Sequence, residues 1–86
     1  MTFDEEIGIC VSGWRKQAGL SQDALAQIIG TQQAAVSKIE TGKQSLTVEQ
    51  MVLILRACDI DAFIAAEQII KLGHIGGKPL WERIHE

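Results

Sequence analysis

The amino-acid sequence predicts a small all-α domain, and three features lead to this prediction. Apolar residues recur at helical spacing, as at Ile7, Val11 and Trp14. The one proline stands at position 79, so the strongest helix breaker is absent from the first 78 residues. The length of 86 residues suffices for one compact domain and is too short for two. Together these features favour a single helical core.

The first two helices have recognisable ends in the sequence. The first is predicted over about residues 4–18, with Gly19 after it as a left-handed stop. The second is predicted over about 21–29, because Ser21 is a good N-cap and Gly30 can end a helix. We expect its apolar positions to face the core. Those positions are Leu25, Ile28 and Ile29.

Three further helices follow from similar signals. The third is predicted over about 33–41, before Gly42. The fourth begins at Thr47, which forms a capping-box pattern with Gln50. The fifth is predicted over about 62–72 and is capped by Asp61. A compact five-helix domain over 1–72 is therefore expected, followed by a short C-terminal tail over 73–86.

The distribution of charge matters more than its sum. The net charge of −3 argues against nucleic acid as a first interpretation. Residues 1–11 contain three acids and no base, and residues 46–86 carry a net charge of −2. Residues 12–45 carry a net charge of +2. The net-basic segment is thus the one that contains the motif described next.

Several other classes of protein are disfavoured. Cys10 and Cys58 occupy apolar helical positions, which predicts reduced core thiols and no disulfide framework. His74 and His85 lack the partners that a metal site would need, so we predict neither a metal nor a cofactor. The sequence contains no nucleophile–base pair and no phosphate loop, and an enzyme is not expected. The absence of a long apolar run or a leader predicts a soluble cytoplasmic protein without a membrane.

Residues 19–42 form the segment that predicts a function. Two short helices are separated by a break of about three residues at Gly30, Thr31 and Gln32. The inward positions of the second of these helices are few and small, so that this helix can project from the body. A projecting helix can enter the major groove of DNA, which is about 12 Å wide.

The chain resembles the λ-repressor/Cro-like, or Xre-type, helix-turn-helix family over about residues 5–70. The residues that carry the resemblance are Arg15, Gly19-Leu20-Ser21-Gln22, Leu25-Ala26, Gly30, Val36, Ile39-Glu40 and Gly42. This spacing is far more specific than a single short motif. The resemblance implies a DNA-binding transcriptional regulator, most commonly a repressor, whose third helix reads double-stranded DNA.

The resemblance assigns a DNA-binding surface to residues in and beside the second and third helices. That surface is predicted to comprise Gln22, Gln32, Gln33, Ala34, Ser37, Lys38 and Lys43. Gln22 would bond a phosphate and brace a side chain of the third helix. Gln33 could pair bidentately with adenine, although each of these side chains could also be ordinary solvated surface.

The resemblance also implies an internal ion pair between Arg15 and Glu40. The chain departs from the family pattern at two positions that affect binding. Gln32 replaces the usual Ser or Thr N-cap, which suggests Thr31 as the cap of the third helix. Ser12 stands where a basic residue is common, which removes one expected phosphate contact.

A homodimer is expected, because one such domain reads only a few base pairs. The predicted interface combines the fifth helix with the tail and comprises Phe63, Ile70, Leu80, Trp81 and Ile84. Alternatively, Trp81 folds back onto its own core. The competing function is a protein-interaction module of the same fold, such as an antitoxin with a toxin as its partner.

Overall fold

The structure is a computed structural model that describes residues 1–72. Over this range the chain forms five α-helices and no strands. Their bounds are α1 Phe3–Gln17, α2 Gln22–Ile29, α3 Gln33–Glu40, α4 Val48–Ala57 and α5 Ala62–Ile70. The prediction of an all-α, five-helix domain is confirmed. The expected helical turn after Pro79 lies outside the described residues.

The predicted caps of α2, α4 and α5 are confirmed. The Ser21 hydroxyl accepts a hydrogen bond from the backbone N–H of Ala24. Thr47 and Gln50 form the complete capping box, in which each side chain accepts from the backbone N–H of the other. The Asp61 carboxylate accepts from two backbone N–H groups of the first turn of α5. These bonds satisfy donors that have no partner within the helix.

Two helix starts differ from the predictions. α1 begins one residue early because Thr2 and Glu5 form a capping box that sequence reasoning missed. The suggestion that Thr31 caps α3 is wrong, since Gln32 occupies the N-cap position and makes no side-chain capping bond. A glutamine side chain lacks the short oxygen that reaches the first-turn N–H groups.

The core lies where α1, α2, α3 and α4 meet. Leu25 and Ala26 are buried in α2, and Ile29 packs against the core from its margin. The prediction that Ile28 faces inward is wrong, because its side chain is 57% exposed. Successive helical residues are about 100° apart, so a face centred between Leu25 and Ala26 turns Ile28 toward solvent.

The backbones of α1 and α3 approach closely at Gly8. A β-carbon at Gly8 would lie 2.5 Å from the carbonyl oxygen of Ile39 and closer still to that of Glu40. Both carbonyl groups belong to the last turn of α3. α1 therefore positions the C-terminal end of α3 by direct backbone contact, which only glycine permits.

α5 is attached to the body mainly along one side. Ala65 is its buried residue. The Trp14 indole N–H of α1 donates a 2.7 Å hydrogen bond to the Gln68 side-chain oxygen. Phe63 and Ile70 lie on the opposite side and are 86% and 71% exposed. α5 thus presents an apolar face to its surroundings.

The two cysteines are free thiols, as predicted. Cys58 is buried and Cys10 is half-buried. Burial raises the pKa of both thiols, which keeps them protonated and poorly reactive. They act as small apolar residues of the core.

Candidate nucleic acid interface

α2 and α3 are joined by a three-residue turn that sets their relative direction. Gly30 adopts a left-handed conformation with φ of 78°, which ends α2. The Thr31 N–H then donates to the Ala26 carbonyl and closes the turn. α3 buries Val36 and Ile39 and leaves its other side facing out. The result is two short helices of which the second has one side packed on the body and the other exposed.

A buried ion pair joins α1 to the C-terminal end of α3. The Arg15 Nε–H donates to Glu40 Oε2 at 2.6 Å, and Arg15 Nη2 donates to Glu40 Oε1 at 3.0 Å. Their side chains are only 11% and 6% exposed. Burial raises the pKa of the Glu40 carboxyl, but hydrogen bonds from Arg15 and Gln22 and nearby positive charge outweigh it. The pKa of Glu40 is therefore held below its usual value.

Gln22 extends this pair to the exposed surface of α3. Its Nε2 donates to Glu40 Oε1 at 2.9 Å. Its Oε1 accepts from Gln33 Nε2 at 2.6 Å. A continuous series of hydrogen bonds thus runs from buried Arg15 to exposed Gln33. The Gln22 amide is fixed at both ends and holds the Gln33 side chain in one orientation.

The Gln33 amide retains groups that could bind a base. An amide NH₂ has two hydrogens and one is used toward Gln22, so a second N–H of Gln33 remains. Within residues 1–72, no group donates a hydrogen bond to the side-chain oxygen Oε1 of Gln33. One donor and one acceptor can therefore point away from the protein together. This is the pair of groups that the major-groove edge of adenine requires.

The other predicted DNA-binding residues lie around Gln33. Positions 33, 34, 37 and 38 are spaced i, i+1, i+4 and i+5 and so share one face of α3. Gln32, Gln33, Ala34, Lys38 and Lys43 are exposed, whereas Gln22 and Ser37 are half-buried. The fold therefore places four of these side chains on one face of α3 and bonds Gln22 of α2 to Gln33, while Lys43 follows in the turn after α3.

Sequence reasoning missed the bond between Gln22 and Glu40. The two residues are 18 positions apart, and a glutamine amide has no spacing pattern that identifies its partner. Only the crossing of α2 over the end of α3 brings them together. The consequence is that the ion pair and the exposed Gln33 side chain belong to one hydrogen-bonded unit.

The described part of the chain offers no sign of two other site types. In residues 1–72 there is no cluster of acidic, cysteine or histidine side chains that could hold a metal ion. No helix in the same range has the length and apolar character needed to cross a membrane.

This geometry is that of a helix-turn-helix, with α2 and α3 as its two helices. A family model described as helix-turn-helix matches residues 14–63. The match covers more than half of the chain, and the protein belongs to this Xre and λ-repressor-like helix-turn-helix family. The family consists of DNA-binding transcription regulators and is not typically enzymatic. No curated protein matches the chain.

Proposed function

We propose that this protein is a transcriptional repressor that binds a specific DNA sequence as a homodimer. α3 enters the major groove and Gln33 reads an adenine. The observation that carries the proposal is the 2.6 Å hydrogen bond that holds Gln33 to Gln22 on the exposed face of α3. A side chain fixed before binding loses little conformational entropy when it meets its base.

The neighbouring side chains complete the proposed recognition surface. Ala34 follows Gln33 on the same face and contacts a thymine methyl group. Lys38 reaches either guanine or a phosphate one helical turn further on. Gln22, Gln32, Ser37 and Lys43 contact the DNA backbone and fix the position of α3. Repression is the commoner action in this family.

The local charge supports DNA binding despite the acidic total. The segment 12–45 contains two acids, Asp23 and Glu40. The Glu40 charge is compensated internally by Arg15 and its side chain is buried. The exposed lysines Lys38 and Lys43 therefore face the phosphates without a nearby competing carboxylate from α3.

Binding should be specific, steeply salt-dependent and sensitive to Lys43. DNA enriched from a random duplex library by the full-length protein would be measured by fluorescence anisotropy across a salt series. We expect Lys43→Ala to weaken binding on all sequences and to reduce the slope of log K against log salt by about 1. Lys71→Ala is the matched control, because Lys71 pairs with Glu67 on α5. Equal affinity for enriched and random DNA, or equal effects of the two substitutions, would contradict the proposal.

The exposed face of α5 supports the proposed dimer. Phe63, Ala66 and Ile70 are exposed and lie opposite the buried Ala65. An isolated domain gains little from presenting such residues to water, whereas a two-fold partner would cover them. Two copies would place their α3 helices in successive major grooves, one helical turn apart. The other predicted interface residues, Leu80, Trp81 and Ile84, lie outside the described residues.

Phe63→Lys should convert the dimer into a monomer. Burying a lysine in a symmetric apolar interface brings two unpaired charges together, which is strongly unfavourable. Sedimentation velocity at tens of micromolar should show a dimer for the original chain and half that mass for the variant. Ile28→Lys is the control, since Ile28 is also an exposed apolar residue but lies on α2. A monomeric original chain would overturn the dimer proposal.

The same exposed face supports a second candidate function. Phe63 and Ile70 could be covered by a different protein, such as a toxin. The helix-turn-helix would then regulate transcription of the genes for both proteins. A monomer that binds DNA without specificity would favour this protein-interaction module over the repressor.

A further inference from the structure

A second apolar surface lies where the N-terminal ends of α1 and α4 meet the side of α5. It is a groove of about 210 Å³. Its apolar lining includes Phe3, Leu46, Val48, Met51, Val52 and Ile69. Phe63 and Ile70 do not line it, so the groove is separate from the proposed dimer face.

The groove walls are unusually exposed for apolar residues. Val48 is 82% exposed and Val52 is 43% exposed, and the two stand one helical turn apart on α4. A contiguous apolar groove of this kind can receive an apolar side chain from another segment. Covering the groove would remove further apolar surface from water and so stabilise a domain whose short chain can bury only a small core.

We infer that the C-terminal tail, residues 73–86, occupies this groove on its own chain, with Leu80 and Trp81 against Val48 and Val52. The tail contains large apolar side chains, of which Trp81 alone can bury roughly 150–250 Å². This inference places Leu80 and Trp81 against their own chain and not in the predicted dimer interface. The groove supplies apolar walls of matching character.

The chain length allows this arrangement. α5 ends at Ile70, and Ile69, within its last turn, lines the groove. Residues 73–79 span at most about 25 Å when extended, which is ample for a return to a site that begins beside α5. Three of these seven residues are glycines, which permit a sharp reversal of the backbone. A short tether also holds the tail at a millimolar effective concentration.

Charge complementarity favours the same occupant. Asp4 lies at the groove, within an N-terminal segment that carries three acids and no base. Lys78 precedes Leu80 by two residues in the tail. A tail bound through Leu80 and Trp81 would bring the Lys78 ammonium toward the Asp4 carboxylate, which also accepts a hydrogen bond from Ser45. The dimer would then depend on the exposed face of α5, without Leu80 and Trp81.

The test follows Trp81 directly in the full-length protein. Both tryptophans would be labelled as 5-fluorotryptophan, and the ¹⁹F resonance of Trp81 identified by its loss in Trp81→Phe. We expect the Trp81 resonance to be shifted from its position in urea and to be shielded from solvent. In Val48→Asp it should move to the urea position, whereas the buried Trp14 resonance should stay unchanged and report an intact fold. Ile28→Asp, on α2, should leave both resonances in place.

The same spectra separate the alternatives. Protection of Trp81 that persists on hundredfold dilution supports binding within one chain. Protection that disappears on dilution would overturn the inference and assign Trp81 to a second copy. The inference would also be overturned if the Trp81 resonance of the original chain lay at the urea position, or if it did not move in Val48→Asp. None of these readouts depends on DNA binding.

Discussion

Gly8→Ala is expected to destabilise the protein. The steric clash should cost about 3 kcal/mol, and the better helix propensity of alanine should offset roughly 1 kcal/mol of that cost. The added β-carbon meets the carbonyl oxygens of Ile39 and Glu40, which are backbone atoms and cannot rotate away. α1 and α3 must therefore separate, and the core around Val11 loosens. Small domains are stable by only roughly 5–15 kcal/mol, so a chemical denaturation curve should show the loss clearly.

Gly13→Ala provides the matched control in the same helix. Gly13 is exposed, and a β-carbon there would have no neighbour within 4 Å. The substitution should therefore stabilise α1 by up to about 1 kcal/mol. Opposite signs at Gly8 and Gly13 would establish the backbone contact. Equal effects at the two positions would show that α1 and α3 do not approach as described.

Glu40→Ala should cost about 3–5 kcal/mol, because it leaves the buried Arg15 guanidinium without a counter-charge. The double variant Arg15→Met/Glu40→Leu removes both charges and should recover most of that loss. Urea unfolding of both variants measures the difference. If the double variant were as unstable as Glu40→Ala, the cost would come from lost packing and not from an unpaired charge.

The ion pair also makes stability depend on pH. The folded pKa of Glu40 is lowered, so its stabilising contribution is present above the unfolded pKa and is lost as pH falls through the folded value. Unfolding measured from pH 7 to pH 3 should show this loss, and the double variant should show less of it. Glu5 should contribute acid sensitivity in both the original chain and the double variant, since the hydrogen bond that its carboxylate accepts from the Thr2 backbone N–H lowers its pKa too.

The helices could be predicted closely because their signals are local. Ser21, Thr47 and Asp61 lie next to the N–H groups that they cap, and Gly30 ends α2 through its own backbone freedom. Periodicity was less reliable for a helix of eight residues. Ile28 fits an inward face by its apolar character, yet the position of the neighbouring helices turns it outward.

The candidate site could be predicted only in part because its key contacts join distant residues. The resemblance to the family pointed to Gln22, Gln33 and the Arg15–Glu40 pair. The bond from Gln22 to Glu40 and the need for glycine at Gly8 both arise from how α1, α2 and α3 cross. No spacing within one helix contains that information.

The most direct test of base reading by Gln33 combines a protein substitution with a DNA substitution. Each adenine of the enriched site would be replaced in turn by 7-deazaadenine, which removes the N7 acceptor from the major groove. We expect one position in each half-site at which the original protein loses about fivefold in affinity and Gln33→Ala loses nothing further, since a hydrogen bond contributes about 1 kcal/mol. If Gln33→Ala and the original protein respond alike at every adenine, Gln33 does not read that base edge.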